Sequence, residues 1–182
     1  MSHNRKLLPY GMRIALLGLA LAGSACSPIS QPPPALTLDA LKNAEYSSDL
    51  AAAKKAKLTN GVYEEELAPG SASKLNIRLV DPFATGDLNG DGAADAAVIL
   101  AANTGGSGVF INLAAVVNNR GKPSPAAYAD LGDRTRINSI TIANGVIVMD
   151  VVTHALSDPM CCPTQNETYK FKLQGSQLVK IN

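Results

Sequence analysis

The chain has no tryptophan and only three phenylalanines, and aromatic residues make up 4% of its 182 positions. Surfaces that stack sugars or bases are built from such rings, so a stacking platform is not expected. Lys and Arg (16) nearly balance Asp and Glu (15), and no basic stripe runs through the sequence, which argues against nucleic-acid binding. No apolar run reaches the ~20 residues of a membrane-spanning helix. Histidine occurs twice, and no Gly-x-Ser-x-Gly nucleophile motif is present. A hydrolase would have to rely on carboxylates such as Asp133 and Asp150. The sequence therefore points away from an enzyme. Cysteine is scarce as well: Cys26 stands alone, and Cys161 and Cys162 are adjacent.

The N-terminus reads as a targeting segment. Arg5, Lys6 and Arg13 precede the apolar run from Ile14 to Ala22, and small residues follow it up to Ala25. This is a secretory signal pattern over residues 1–25, whether translation starts at Met1 or at Met12. Leu21-Ala22-Gly23-Ser24-Ala25-Cys26 resembles a bacterial lipoprotein processing site, with Gly23 where a bulky aliphatic is usual. The resemblance implies that Cys26 is acylated and becomes the new N-terminus, attaching the protein to a membrane through lipid alone. Ser27 in place of Asp implies the outer membrane, facing the periplasm, if the cell is Gram-negative. Residues 26–35, with Pro28, Pro32, Pro33 and Pro34, form a semi-rigid tether of ~3 Å per residue.

Loss of Arg5, Lys6 and Arg13 takes the formal net charge from +1 to −2. Residues 36–182 suffice for one domain with its own core, packed from Val, Ile, Leu and Ala. Thr37 to Tyr46 reads as a short helix capped by Thr37 or Asp39. Asn60-Gly61 marks a hairpin turn between Lys57-Leu58 and Val62-Tyr63. Lys74 to Val80 and Arg136 to Ile142 alternate with period two, as half-buried strands do. Ala96-Ala97-Val98-Ile99-Leu100 is apolar without interruption and reads as a central strand buried on both faces. Further strands are expected at 109–117, 146–152 (after Asn144-Gly145), 168–173 and 177–181. Thr104-Gly105-Gly106-Ser107-Gly108 reads as a turn and not as a phosphate cradle, because it lacks a Gly-Lys-Ser/Thr and a following helix. The fold class is α+β, mostly β: a single antiparallel-sheet domain with one short N-terminal helix.

Asp87-Leu88-Asn89-Gly90-Asp91-Gly92-Ala93-Ala94-Asp95 carries the clearest chemistry. It sets side-chain oxygens at positions 1, 3, 5 and 9 of a glycine turn, the spacing of a calcium loop. Calcium is a hard cation that takes six to eight oxygens. Asp87, Asn89 and Asp91 supply side chains, Ala93 a carbonyl, and Asp95 a carboxylate directly or through water. Crowded carboxylates repel one another unless a cation neutralises them, although Asn-Gly and Asp-Gly also form turns without metal. Position 12, a bidentate Glu in helix–loop–helix sites, is Val98, and a strand follows. The loop resembles the Asp-x-Asn-x-Asp-Gly-x-x-Asp loops of FG-GAP and VCBS-type β repeats over residues 85–100. Only one copy is present, so no propeller is implied. Weak, structural Ca2+ binding is the expectation.

Asp158-Pro159-Met160-Cys161-Cys162-Pro163 is the second unusual segment. In an oxidising envelope two cysteines pair by default. Neighbouring Cα atoms are ~3.8 Å apart, whereas ordinary bridges span ~4.4 Å or more, so a vicinal disulfide is strained and comparatively reducible. Two thiols, bridges to other chains, or a soft-metal site with Met160 and His154 are the alternatives.

Four segments, Gly86-Asp87 to Leu100, Thr104 to Val117, Leu131-Gly132-Asp133-Arg134 to Val152 and His154 to Gln165, resemble a family of uncharacterised bacterial lipoproteins. The resemblance implies a small secreted or lipid-anchored domain and brings no reaction or substrate. The leading expectation is a non-catalytic envelope module, stabilised by calcium, that binds an envelope protein or surface ligand. The alternative is a redox or soft-metal-handling lipoprotein using Cys161, Cys162 and His154.

Overall fold

The computed structural model describes residues 33–182. The apolar leader, Cys26 and most of the tether lie outside the described residues. Among those described, no helix is long and apolar enough to cross a membrane.

One short helix, α1 (Leu38–Lys42), opens the fold. The Thr37 hydroxyl accepts from the Ala40 amide at 3.1 Å and caps its start. The helix is shorter than its apolar spacing predicts. Asn43 ends it, donating its side-chain amide to the Asp39 carbonyl at 2.9 Å. Tyr46 consequently lies in strand β1 (Glu45–Ser47), fully buried, with its hydroxyl donating to the Leu41 carbonyl at 2.8 Å.

β1 pairs antiparallel with β2 (Lys55–Lys57). A five-stranded antiparallel sheet follows in simple succession: β3 (Val62–Glu66), β4 (Lys74–Gly86), β5 (Asp95–Asn103), β6 (Phe110–Asn119) and β7 (Lys122–Asp133). The last four strands, β8 (Arg136–Ala143), β9 (Val146–Thr153), β10 (Gln165–Gln174) and β11 (Gln177–Ile181), form a second antiparallel meander. A mostly-β domain with antiparallel sheets and one short N-terminal helix is thus the observed fold.

Asn60-Gly61 and Asn144-Gly145 both turn with positive φ at each residue, the left-handed pair that an Asn-Gly hairpin turn requires. The first turn joins different partners from those its flanks predict. Lys57 pairs with Glu45, and Val62 pairs with Arg78. Only the Thr59–Val62 bridge closes the turn itself.

Two cores flank the five-stranded sheet. Ala96, Val98, Leu100 and Ala102 of β5 face Leu41, Tyr46, Ala56 and Leu58 from the N-terminal layer. Ala97 and Ile99 of the same strand face Ile140, Ile147, Met149 and Phe171 of the four-stranded sheet. The result is three layers, and β5 is buried on both faces, as its unbroken apolar run requires. β8 lies against β4 and β11 against β7. At the first of these seams Gly86 packs so closely that a Cβ built on it would meet Ile142 Cγ2 at 2.7 Å.

Candidate functional site

β5 begins at Asp95 and ends at Asn103, so its two ends define two loop clusters. The first holds the Asp87–Asp95 loop. Asp87 is its hub: Oδ1 accepts from the amides of Asn89 (3.2 Å) and Gly90 (2.6 Å), and Oδ2 from Gly92 (2.9 Å). Amide donors stabilise the ionised form, led by Gly92 and then Gly90, and hold the Asp87 carboxyl below its usual value. Asn89 Oδ1 accepts from the Asp91 amide at 2.9 Å, and Asp91 Oδ1 from the Ala93 amide at 2.8 Å. Gly90 and Gly92 both have positive φ, which lets the backbone reverse beneath these carboxylates at no steric cost.

Asp95 behaves differently from the exposed acids above it. It is fully buried. Its Oδ2 accepts from the Leu88 amide at 2.9 Å and its Oδ1 from the Asn118 amide at 2.8 Å. Asp95 therefore ties the loop to the end of β6 from the inside. Leu88 is buried in the core between the two sheets, and the Asn144-Gly145 turn lies against the Leu88 carbonyl. Among the described residues, no three His, Cys, Asp or Glu side chains gather as a ready-made metal cluster. The side-chain oxygens of Asp87, Asn89 and Asp91 are turned onto the loop's own amides. As a donor set they are all hard oxygen, the kind that calcium takes.

Asn118 is the residue that sequence reasoning missed. It is buried. Its side-chain amide donates to the Pro34 carbonyl at 2.8 Å and to the Ala94 carbonyl at 3.1 Å, while its Oδ1 accepts from the Gly121 amide at 2.7 Å. It joins the point where the chain enters the domain to the base of the loop. In sequence it is only a polar residue ahead of a turn.

The opposite end gathers the Thr104–Gly108 turn, Asp133-Arg134 and the 154–164 segment. Asn103 closes the turn by donating to the carbonyls of Gly106 (3.1 Å) and Gly108 (2.7 Å). Arg134 ties it to its neighbour, donating to the Ser107 carbonyl and, at 2.7 Å, to the Met160 carbonyl while pairing with Asp133. Asp133 also accepts from the Val109 amide at 2.7 Å. Asp150 has other partners, the hydroxyls of Ser139 (2.9 Å) and Thr168 (3.1 Å) on the four-stranded sheet, so no pair with Asp133 is formed.

Cys161 and Cys162 are joined by a disulfide, with Cα atoms 3.8 Å apart, and both residues are exposed. Asp158 organises the segment around them. Its Oδ2 accepts from the amides of Ala155 and Thr164 and its Oδ1 from the Thr164 hydroxyl, each at 2.8 Å. These donors, the Ala155 amide first, hold its carboxyl below the usual range. Leu156 and Met160 are exposed beside the bridge. The His154 Nε2 is buried and has no hydrogen-bond partner among the described residues. The bridge engages both sulfurs, so a soft-metal set with His154 and Met160 would require the reduced pair.

Both loop hubs predict an acid response. Asp87 and Asp158 have folded values below the ~3.9 of a free carboxyl. The unfolded state thus binds protons first, and the stabilisation is present above about pH 4 and is lost as pH falls through the folded values. NMR titration should find both carboxyls protonating below the usual carboxylate range, with amide exchange rising at Gly90, Gly92 and Thr164 over the same interval.

No protein-family model matches the chain, and neither a curated protein nor a solved structure does.

Proposed function

We propose that the protein is a lipid-anchored component of the bacterial cell envelope. In this reading its β domain is a non-catalytic interaction module, and the Asp87–Asp95 loop is a structural calcium site at the root of the tether. The observation that carries the reading is the Asn118 linkage. The buried Asn118 side chain donates to the Pro34 carbonyl, where the tether joins the fold, and the Asn118 backbone amide donates to Asp95 at the base of the loop.

Calcium would be held by Asp87, Asn89 and Asp91 with the Ala93 carbonyl, and Asp95 would brace them from beneath. Neutralising the exposed carboxylates would stiffen the connection between tether and domain. Val98, at position 12, is fully buried in the core and offers no side-chain oxygen. Affinity is therefore expected in the weak class of extracellular sites, about 10⁻⁴ to 10⁻³ M. Pro34 lies at this pole, so in this reading the 104–108 and 154–164 loops at the other end of β5, with exposed Leu156 and Met160, are the surface offered to a partner.

Cell fractionation tests the anchoring. The wild-type chain should sediment with outer membranes and release only into detergent, and Cys26→Ser should move it to the soluble fraction. Affinity capture from envelopes with and without a chelator then tests the module, with a partner expected only when calcium is present. A wild-type chain already soluble without detergent would overturn the reading.

A further inference from the structure

The bridge at Cys161–Cys162 serves no obvious structural purpose. A disulfide stabilises a fold chiefly by closing a loop of chain in the unfolded state, and a bridge between neighbours closes none. Other bonds also tie the surrounding segment to the fold: three accepted by Asp158, one from the Cys162 amide to the Pro159 carbonyl at 2.9 Å, and one from Arg134 to Met160. Opening the bridge would therefore leave the two sheets intact. Both cysteines are open to solvent, and their Cα separation of 3.8 Å lies below the ~4.4 Å where unstrained bridges begin. Arg134 holds the carbonyl that precedes Cys161.

We propose that Cys161–Cys162 is a thiol–disulfide exchange site whose partner is a dithiol, and that its redox state sets how firmly the 154–164 segment is held to the Thr104–Gly108 turn. One thiolate of the dithiol attacks a sulfur of the bridge. A mixed disulfide forms as the Cys161–Cys162 bond breaks, and the departing cysteine thiolate takes a proton. The second thiol of the partner then attacks the mixed disulfide and releases the other cysteine, which is protonated in turn. The partner ends as a disulfide, having given up two electrons and two protons, and the cysteine pair ends as two thiols. The ring that fixed the Met160–Pro163 backbone is then gone. Arg134, which grips Met160 and Ser107 together, transmits the release to the glycine turn.

The test uses the full chain in detergent, equilibrated in glutathione buffers of graded redox ratio or with excess dithiothreitol, then alkylated and mapped by peptide mass. The Cys161/Cys162 peptide should change from unlabelled to doubly labelled across the glutathione series, without unfolding, and return to the intramolecular bridge on reoxidation. Amide exchange at 104–108 and 154–164 should quicken several-fold on reduction. Arg134→Gln should show the same acceleration while still oxidised. A double Cys161→Ser, Cys162→Ser variant should melt within a few degrees of the wild type. A bridge that opens only on global unfolding, cysteines that never form it, or exchange at 104–108 indifferent to both reduction and Arg134→Gln would each overturn the proposal.

Discussion

Asp95→Ala is expected to lower stability by about 2–6 kcal/mol, because two buried backbone donors lose their acceptor together and each is worth about 1–3 kcal/mol when left unsatisfied. The Leu88 amide lies at 2.9 Å and the Asn118 amide at 2.8 Å from the carboxylate, and Asp95 is fully buried. Neither amide has a route to water that leaves the loop in place. At about 2–4 °C per kcal/mol for a domain of this size, the melting temperature should fall by roughly 10 °C, read by thermal circular dichroism. Asp95→Asn keeps one acceptor but turns an NH2 toward the second amide, so it should recover only part of the loss. Asp87→Ala is the contrast. The Gly90 and Gly92 amides that Asp87 binds are exposed and find water when it is removed. Without calcium its effect should be much the smaller of the two.

Val98→Asp and Ile99→Asp should each abolish folding. Neighbouring residues on a strand point to opposite faces, so in a two-layer sheet one of the pair is tolerated at the surface. Here Val98 enters the core beneath α1 and the β1–β2 pair, and Ile99 enters the core against the four-stranded sheet; both are essentially inaccessible. An unpaired carboxylate in either place costs several kcal/mol, comparable with the ~5–15 kcal/mol that holds an ordinary domain together. Soluble expression and the far-ultraviolet spectrum report the outcome. Asn76→Asp, at a partly exposed position on the neighbouring strand β4, should fold normally.

The layered fold was legible where one physical signal dominated. The unbroken run 96–100 announced a strand covered on both faces, and the alternation at 136–142 a strand covered on one. The Asn-Gly pairs announced their turns through the positive φ they adopt. β7 was not anticipated, and its segment carries Pro123, Pro125 and Gly132, residues that disfavour a strand interior. It is an edge strand, paired only with β6, and an edge tolerates residues that cannot donate on the open side. Tyr46 was misplaced in the helix because its spacing from Leu38 and Leu41 fits a helical face. The Asn43 cap, a local hydrogen-bond choice, decided the matter. The acidic loop was legible by spacing, whereas its wiring was not. Asn118 and Arg134 act through partners 84 and 26–27 residues away, and no local pattern encodes such pairings.

The proposed role of the Asp87–Asp95 loop, a calcium-dependent staple at the base of the tether, has a direct thermodynamic consequence. Thermal unfolding of the full chain in detergent, with calcium titrated from micromolar to millimolar and magnesium as the control, tests it most directly. The melting temperature should rise and saturate with calcium in the wild type and stay flat in Asp87→Asn/Asp91→Asn, with matching heat in a calorimetric titration. No shift and no heat at millimolar calcium in the wild type would contradict it.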